Sequence, residues 1–266
     1  MKKFKNTVIC CDVDGTLLAD DFTIPKANIE AVEYFKSEGG RFTFATGRTH
    51  KGLRLLFDKI APDMPVVCQN GAAIYDYSTE KNVWYASLPK KAHEVIDYID
   101  KKYPGTGIEL MSTKDVYCLK PNAATDKHQS DEKYTLTPGN YKEIKEEWLK
   151  ILFADSPEKV DIIQKDLESS PYHKEYQMVR SYSTYYEFMA NGVNKGKGVS
   201  AFEELFSIGM ENLIVIGDNE NDLGMFSLPC RSFAPSSAVQ KIKDCAKTVL
   251  KSTNNDGVLK EVIESL

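Results

Sequence analysis

The apolar residues of the first eighty positions fall into short runs, each ending in a polar or glycine-rich turn. Runs over 7–11, 41–45 and 66–68 are of strand length and are followed by such turns, so they read as strands. Between them the segments 26–38 and 51–59 carry helical patterns, and Gly39-Gly40 marks where the first leaves helical geometry. Strands alternating with helices predict right-handed crossovers and a parallel sheet, doubly wound and Rossmann-like.

The pattern changes after about residue 84. A helix is predicted over 90–102, short strands over 108–112 and 116–119, and a polar stretch without periodicity over 122–140, read as a loop. A charged helix over 141–147 is expected to display i,i+4 pairs to solvent. A strand over 149–154, a helix over 158–167 and two aromatic strands over 176–181 and 184–189 follow. Strands close in sequence and interrupted by helices suggest an α+β region, and the βα alternation resumes at Leu213. The fold class expected is α/β, with a core formed by 1–82 and 190–266 and an α+β insert over 83–189.

Composition narrows the class without naming the chemistry. A chain of 266 residues with 42% hydrophobic and 27% charged residues can bury a full core without staples. A net charge of −5 argues against a nucleic-acid polymer as partner, leaving small anions held in a local pocket. The six cysteines form no close-spaced framework and read as thiols in a reducing compartment. The apolar stretch after the N-terminal lysines meets Asp12 within a few residues, too early for a signal core, and no run reaches membrane-spanning length. A cytoplasmic protein without membrane contact is expected.

Candidate chemistry lies where the predicted strands end. Asp12-Val13-Asp14-Gly15-Thr16 closes the first run; two carboxylates two residues apart share one side of an extended segment and would face the crevice beyond the sheet. One can attack while the other manages a proton. Alone, an Asp-x-Asp corner also serves solvated loops and calcium sites. Three more segments repeat the form of apolar run, turn and helix, ending in Thr46-Gly47-Arg48, in Asn194-Lys195-Gly196 and in Gly217-Asp218-Asn219-Glu220-Asn221-Asp222. Thr46 before a helix offers a hydroxyl and free N–H groups to an anion, although a threonine there is also an ordinary helix cap.

These four motifs in this order resemble those of the haloacid dehalogenase superfamily of phosphatases, most of all its capped Cof-type branch. The resemblance implies that the insert is a cap governing substrate choice. It also implies that Asp12 is the nucleophile and Asp14 the general acid and base, with Thr46, Gly47 and Lys195 binding phosphate. Mg²⁺ would be held by Asp12, Asp218 and the Asp14 carbonyl, with Asn221 and Asp222 orienting those groups. Lys197-Gly198 repeats the Lys-Gly dipeptide, and the family pattern favours Lys195. Asn70, in an Asn-Gly-Ala turn, and Arg48 are further substrate contacts on this view.

The function implied is Mg²⁺-dependent hydrolysis of small phosphorylated metabolites (sugar, nucleotide or cofactor phosphates) through an aspartyl-phosphate. A phosphomutase of the phosphomannomutase type and a phosphoaspartate receiver module are the alternatives. The receiver lacks any need for Asp14 or for an insert of this size. His128, near Asp126, Asp131 and Glu132, has no metal-ligand spacing and reads as part of a solvated loop; Tyr182, Tyr185 and Tyr186 read as faces of the insert's sheet.

Overall fold

In the computed structural model, which describes residues 2–266, the wholly apolar run Val8–Cys11 is strand β1, with every side chain buried. There follow α1 (Lys26–Ser37), β2 (Arg41–Phe44), α2 (His50–Leu53), β3 (Val66–Cys68), β4 (Ala73–Asp76) and β5 (Lys81–Tyr85). Next come α3 (His93–Lys102), β6 (Gly107–Ser112), β7 (Val116–Lys120), α4 (Ala123–Glu132), β8 (Thr137–Pro138), β9 (Trp148–Ala154), α5 (Pro157–Glu168), β10 (Tyr176–Tyr182) and β11 (Tyr185–Ala190). The last part holds α6 (Lys195–Phe206), β12 (Leu213–Ile216), α7 (Leu223–Phe226), β13 (Arg231–Ala234), α8 (Gln240–Cys245), β14 (Thr248–Val249) and α9 (Val258–Glu264). The chain divides into two units, the first comprising residues up to Trp84 with Asn194–Leu266, the second Tyr85–Val193.

The first unit is built on a parallel sheet in the order β14-β13-β12-β1-β2, as the alternating pattern predicts. Cys11 pairs with both Phe44 and Ile216, so β1, β2 and β12 end level. The chain goes from β1 to β2 on one side and later fills the other side with β12. Their boundary is therefore the switch point where open α/β sheets place their ligands. Val8, Cys10, Leu213 and Val215 share a core with Val199 and Phe202 of α6, Met225 of α7 and Ile242 of α8. Ile9 and Cys11 alternate to the other face and are equally buried. All six cysteines are free thiols. β3 and β4 pair antiparallel, and Ala45 forms a parallel bridge with Val67.

The second unit carries a six-stranded sheet in the order β10-β11-β9-β6-β7-β8, antiparallel except at β7–β8. One face packs Ile108, Leu110, Ile151, Phe153, Tyr186 and Phe188 against Val95, Ile96 and Ile99 of α3 and Val160, Ile163 and Leu167 of α5. Lys150 and Glu187, on neighbouring strands β9 and β11, are both buried and pair at 2.9 Å.

Three local expectations give way. The stretch 122–140 is not a loop, because Asn122 caps α4 through a reciprocal box with Thr125. The residues α4 buries are Thr125, His128 and Glu132, which are polar and therefore invisible to a reading of apolar periodicity. His128 is accordingly no solvated loop residue; its Nδ1 lies 2.8 Å from Glu109 Oε2, and Nε2 lies 3.5 Å from Glu132 Oε1. The charged segment 141–147 forms a turn and no helix. Exposed i,i+4 pairs at about 0.3–0.5 kcal/mol each do not offset helix nucleation without a buried stripe. The helix expected over 51–59 stops at Leu53 and continues as a short 3₁₀ turn, Arg54–Leu56, with Gly52 weakening its interior.

Candidate active site

The strands that end level deliver the acidic residues to one place. Asp12 follows β1 directly, its N–H donates to Ile216 of β12 at 2.9 Å, and its side chain is almost wholly buried. The chain then makes an irregular helical turn, broken at Asp14 and at Gly15, whose φ is +77°. A Cβ at Gly15 would lie 2.4 Å from Asp218 Oδ2, so this position combines a left-handed backbone with the close approach of a carboxylate. Thr16 Oγ1 donates to Asp218 Oδ1 at 2.7 Å, which fixes the carboxylate that follows β12 against the loop that follows β1.

Lys195 is the first residue of α6, capped by the Asn194 side chain, and its Nζ is inaccessible to solvent. It reaches Asp12 Oδ1 at 2.7 Å and Asp222 Oδ1 at 2.6 Å. Lys197 points outward, so between the two Lys-Gly dipeptides it is Lys195 that enters the cluster. Its reach depends on backbone contact between α6 and α7, since a Cβ at Gly196 would meet the Gly224 carbonyl at 2.2 Å. Asp222 has little capacity to spare, because Oδ2 accepts the N–H groups of Asp218 and Asn219 at 2.9 and 3.1 Å.

The turns after β2 and β3 brace each other. Thr46 is buried, and its Oγ1 accepts the Arg48 N–H at 3.1 Å, the local bond of a turn leading into a helix. Asn70 donates its N–H to the Thr46 carbonyl at 2.9 Å and accepts from Asn221 Nδ2 at 3.1 Å. Its side chain also lies against Gly47. Arg48 turns toward Asp14, its Nε 2.9 Å from Oδ2 and its Nη2 2.7 Å from Oδ1.

One oxygen from each of Asp12, Asp218 and Asp222 falls within 4.8 Å of the others. Three carboxylates here face a single ammonium. Burial first, and then the charge of Asp222, raise Asp12 well above the usual carboxylate range, and the same causes push Asp218 up to about 7. Lys195 stays a cation, since Asp12 and Asp222 outweigh the burial that opposes its charge. This excess of hard oxygen donors over positive charge is what a divalent cation such as Mg²⁺ requires. With Asp222 committed to Lys195 and two backbone N–H groups, Asp12 and Asp218 are the carboxylates that fit it.

Sequence reasoning brought Asp12, Asp14, Thr46, Gly47, Lys195, Asp218, Asn221 and Asp222 to notice. It did not foresee that Arg48 grips Asp14, that Thr16 serves Asp218, or that Asn70 and Asn221 bond each other across 151 residues. Pairings between distant loops leave no mark in either loop's own pattern.

A family model described as haloacid dehalogenase-like hydrolase matches residues 9–262. The 5-amino-6-(5-phospho-D-ribitylamino)uracil phosphatase YitU of Bacillus subtilis is 25% identical, the match covering 96% of this chain and 95% of that protein. The pyridoxal phosphate phosphatase YbhA of Escherichia coli is 24% identical, with 97% and 98% covered. Among solved structures, the subclass IIB sugar phosphatase BT4131 superposes with a TM-score of 0.83 at 21% identity, covering 97% of this chain and 98% of that one, which establishes a common fold. Among the described residues no helix is long and apolar enough to cross a membrane. The relatives that it matches along nearly its whole length are named as phosphatases, and the chain belongs to the haloacid dehalogenase-like hydrolase family.

Proposed function

We propose that this phosphatase hydrolyses phosphate monoesters of small metabolites through an aspartyl-phosphate on Asp12, with Mg²⁺ as cofactor and the 83–189 region as the cap that selects substrate. The observation carrying the proposal is the environment of Asp12: buried, gripped on Oδ1 by Lys195 and flanked by Asp218. A carboxylate held in one orientation by a buried ammonium is prepared for in-line attack on phosphorus.

Asp12 forms the new bond to phosphorus as the ester oxygen departs, and Asp14 gives that oxygen a proton. Asp14 then takes a proton from the water that opens the acyl phosphate. Lys195 balances the charge of Asp12 and orients it, while Asp222 holds Lys195 in place. Thr46 and Gly47 line the turn where N–H groups would meet the phosphate oxygens. Asp12, Asp218 and the Asp14 carbonyl would hold Mg²⁺. When bound, the ion offsets the repulsion between a dianionic phosphate and these carboxylates.

Small phosphorylated metabolites are supported as substrates by relatives named for a ribitylaminouracil phosphate and for pyridoxal phosphate. The test is a panel of sugar, nucleotide and vitamin phosphates assayed for inorganic phosphate, with the Asp12→Asn variant alongside. We expect steady phosphate release from at least one class without a bisphosphate activator. Asp12→Asn should lose at least about a thousandfold in rate while keeping its circular dichroism. Phosphorus moving between hydroxyls of one sugar, with little free phosphate, would replace this reading by a mutase.

A further inference from the structure

We propose that Arg48 is a positioning residue for Asp14, acting on departure of the leaving group through that carboxyl and not by gripping phosphate. The inference rests on the reading of Asp14 as acid and base. Asp14 lies in irregular backbone beside Gly15, and its side chain is 50% exposed, so no packing fixes its orientation. Arg48 supplies what packing does not, a two-bond fork from Nε to Oδ2 at 2.9 Å and from Nη2 to Oδ1 at 2.7 Å. The arginine itself is anchored. Its side chain is 11% exposed, its N–H donates to Thr46 Oγ1, and its carbonyl accepts the Gln69 N–H at 2.9 Å.

The geometry also limits what else Arg48 can do. The fork on Asp14 uses the side-on edge of the guanidinium, Nε–H with one Nη2–H, so that edge is committed to the carboxyl. Each carboxyl oxygen meanwhile keeps a lone pair for the travelling proton. In the step at issue an Asp12 oxygen bonds to phosphorus, the bond from phosphorus to the leaving oxygen breaks, and a proton that Asp14 drew from solvent passes to that oxygen. Asp14 is left as the carboxylate. An arginine that only aims this carboxyl matters in proportion to how badly the leaving group needs the proton.

The experiment compares kcat/KM for an alkyl phosphate and for p-nitrophenyl phosphate, whose phenolate departs without protonation. Arg48→Ala should cost about 30-fold on the alkyl ester and under about fivefold on the aryl ester, with Arg48→Lys between, since it keeps charge and loses the fork. In an Asp14→Ala background, Arg48→Ala should add no further loss. Equal losses on both esters, multiplying with Asp14→Ala, would show that Arg48 binds phosphate and overturn the proposal. Leaving-group dependence in Asp14→Ala but not in Arg48→Ala would overturn the role of Arg48 alone. No such dependence in Asp14→Ala would overturn the acid assignment beneath it. Should Arg48→Ala fail to fold, Arg48→Lys carries the same comparison.

Discussion

At the scale of single residues the site is a problem of charge balance, and Lys195 is its pivot. The ammonium lies between Asp12 and Asp222 with no access to solvent, so removing it would leave two buried carboxylates facing each other. Deleting one partner of a buried pair costs about 3–5 kcal/mol, although proton uptake by a carboxylate relieves part of that here. Lys195→Met should lower Tm by roughly 6–12 °C, read by calorimetry. A melting temperature within a degree of the parent would mean that the ammonium contributes nothing to the fold. Asp12 and Asp14 were legible in sequence because each follows a strand end. The pairing of Arg48 with Asp14 was not, since TGR and DVDGT are both complete motifs without it.

At the scale of elements, α4 shows how far polar burial departs from hydropathy. Its contact with the second unit's sheet runs through His128, set between Glu109 and Glu132. Burial works against the imidazolium, but the two carboxylates overcome it and raise the histidine from 6.5 to about 10. A group whose folded pKa lies above its unfolded value contributes stability that is complete below the unfolded value. That contribution should therefore be intact below pH 6.5 and fade as pH climbs from 6.5 to about 10. Chemical denaturation from pH 6 to 10 should show this decline in the parent and a much flatter profile in His128→Gln. Parallel profiles would mean that the pair does not hold α4. The capped helix also redirects proteolysis. Trypsin should cut first after Lys142 or Lys145, in the exposed turn, and slowly after Lys127 within α4. Rapid cleavage after Lys127 would show α4 to be frayed in solution.

For the whole molecule, the acidic cluster determines how the protein answers to metal and pH. Asp218, near 7 through burial and Asp222, should bind a divalent cation as the carboxylate, so Mg²⁺ affinity should increase as pH rises through about 7. Titration calorimetry at pH 5.5 and 8 would show weaker binding and greater proton release at the lower value; equal affinities would count against Asp218 as a ligand. In metal-free protein the sign reverses. A carboxyl whose folded pKa is raised from 3.8 to about 7 binds more protons folded than unfolded across that window, so stability falls as pH rises through it. With Mg²⁺ as the proposed cofactor, EDTA should abolish phosphate release, and Mg²⁺ should restore it.

The sequence alone determined the parallel sheet, because short strand-like runs alternate with helical patterns, and such alternation requires crossover connections. It also located the acidic motifs, because a strand's end can be read from where its apolar run stops. Tertiary structure alone decided which loops meet. It brought Asp218 against Gly15 and Thr16, set Lys195 between Asp12 and Asp222, and joined Asn70 to Asn221. It also buried the polar face of α4 and the Lys150–Glu187 pair. The reason is common to all of these. A buried polar group is stable only beside its partner, and that partner lies on another element, beyond the reach of any local pattern.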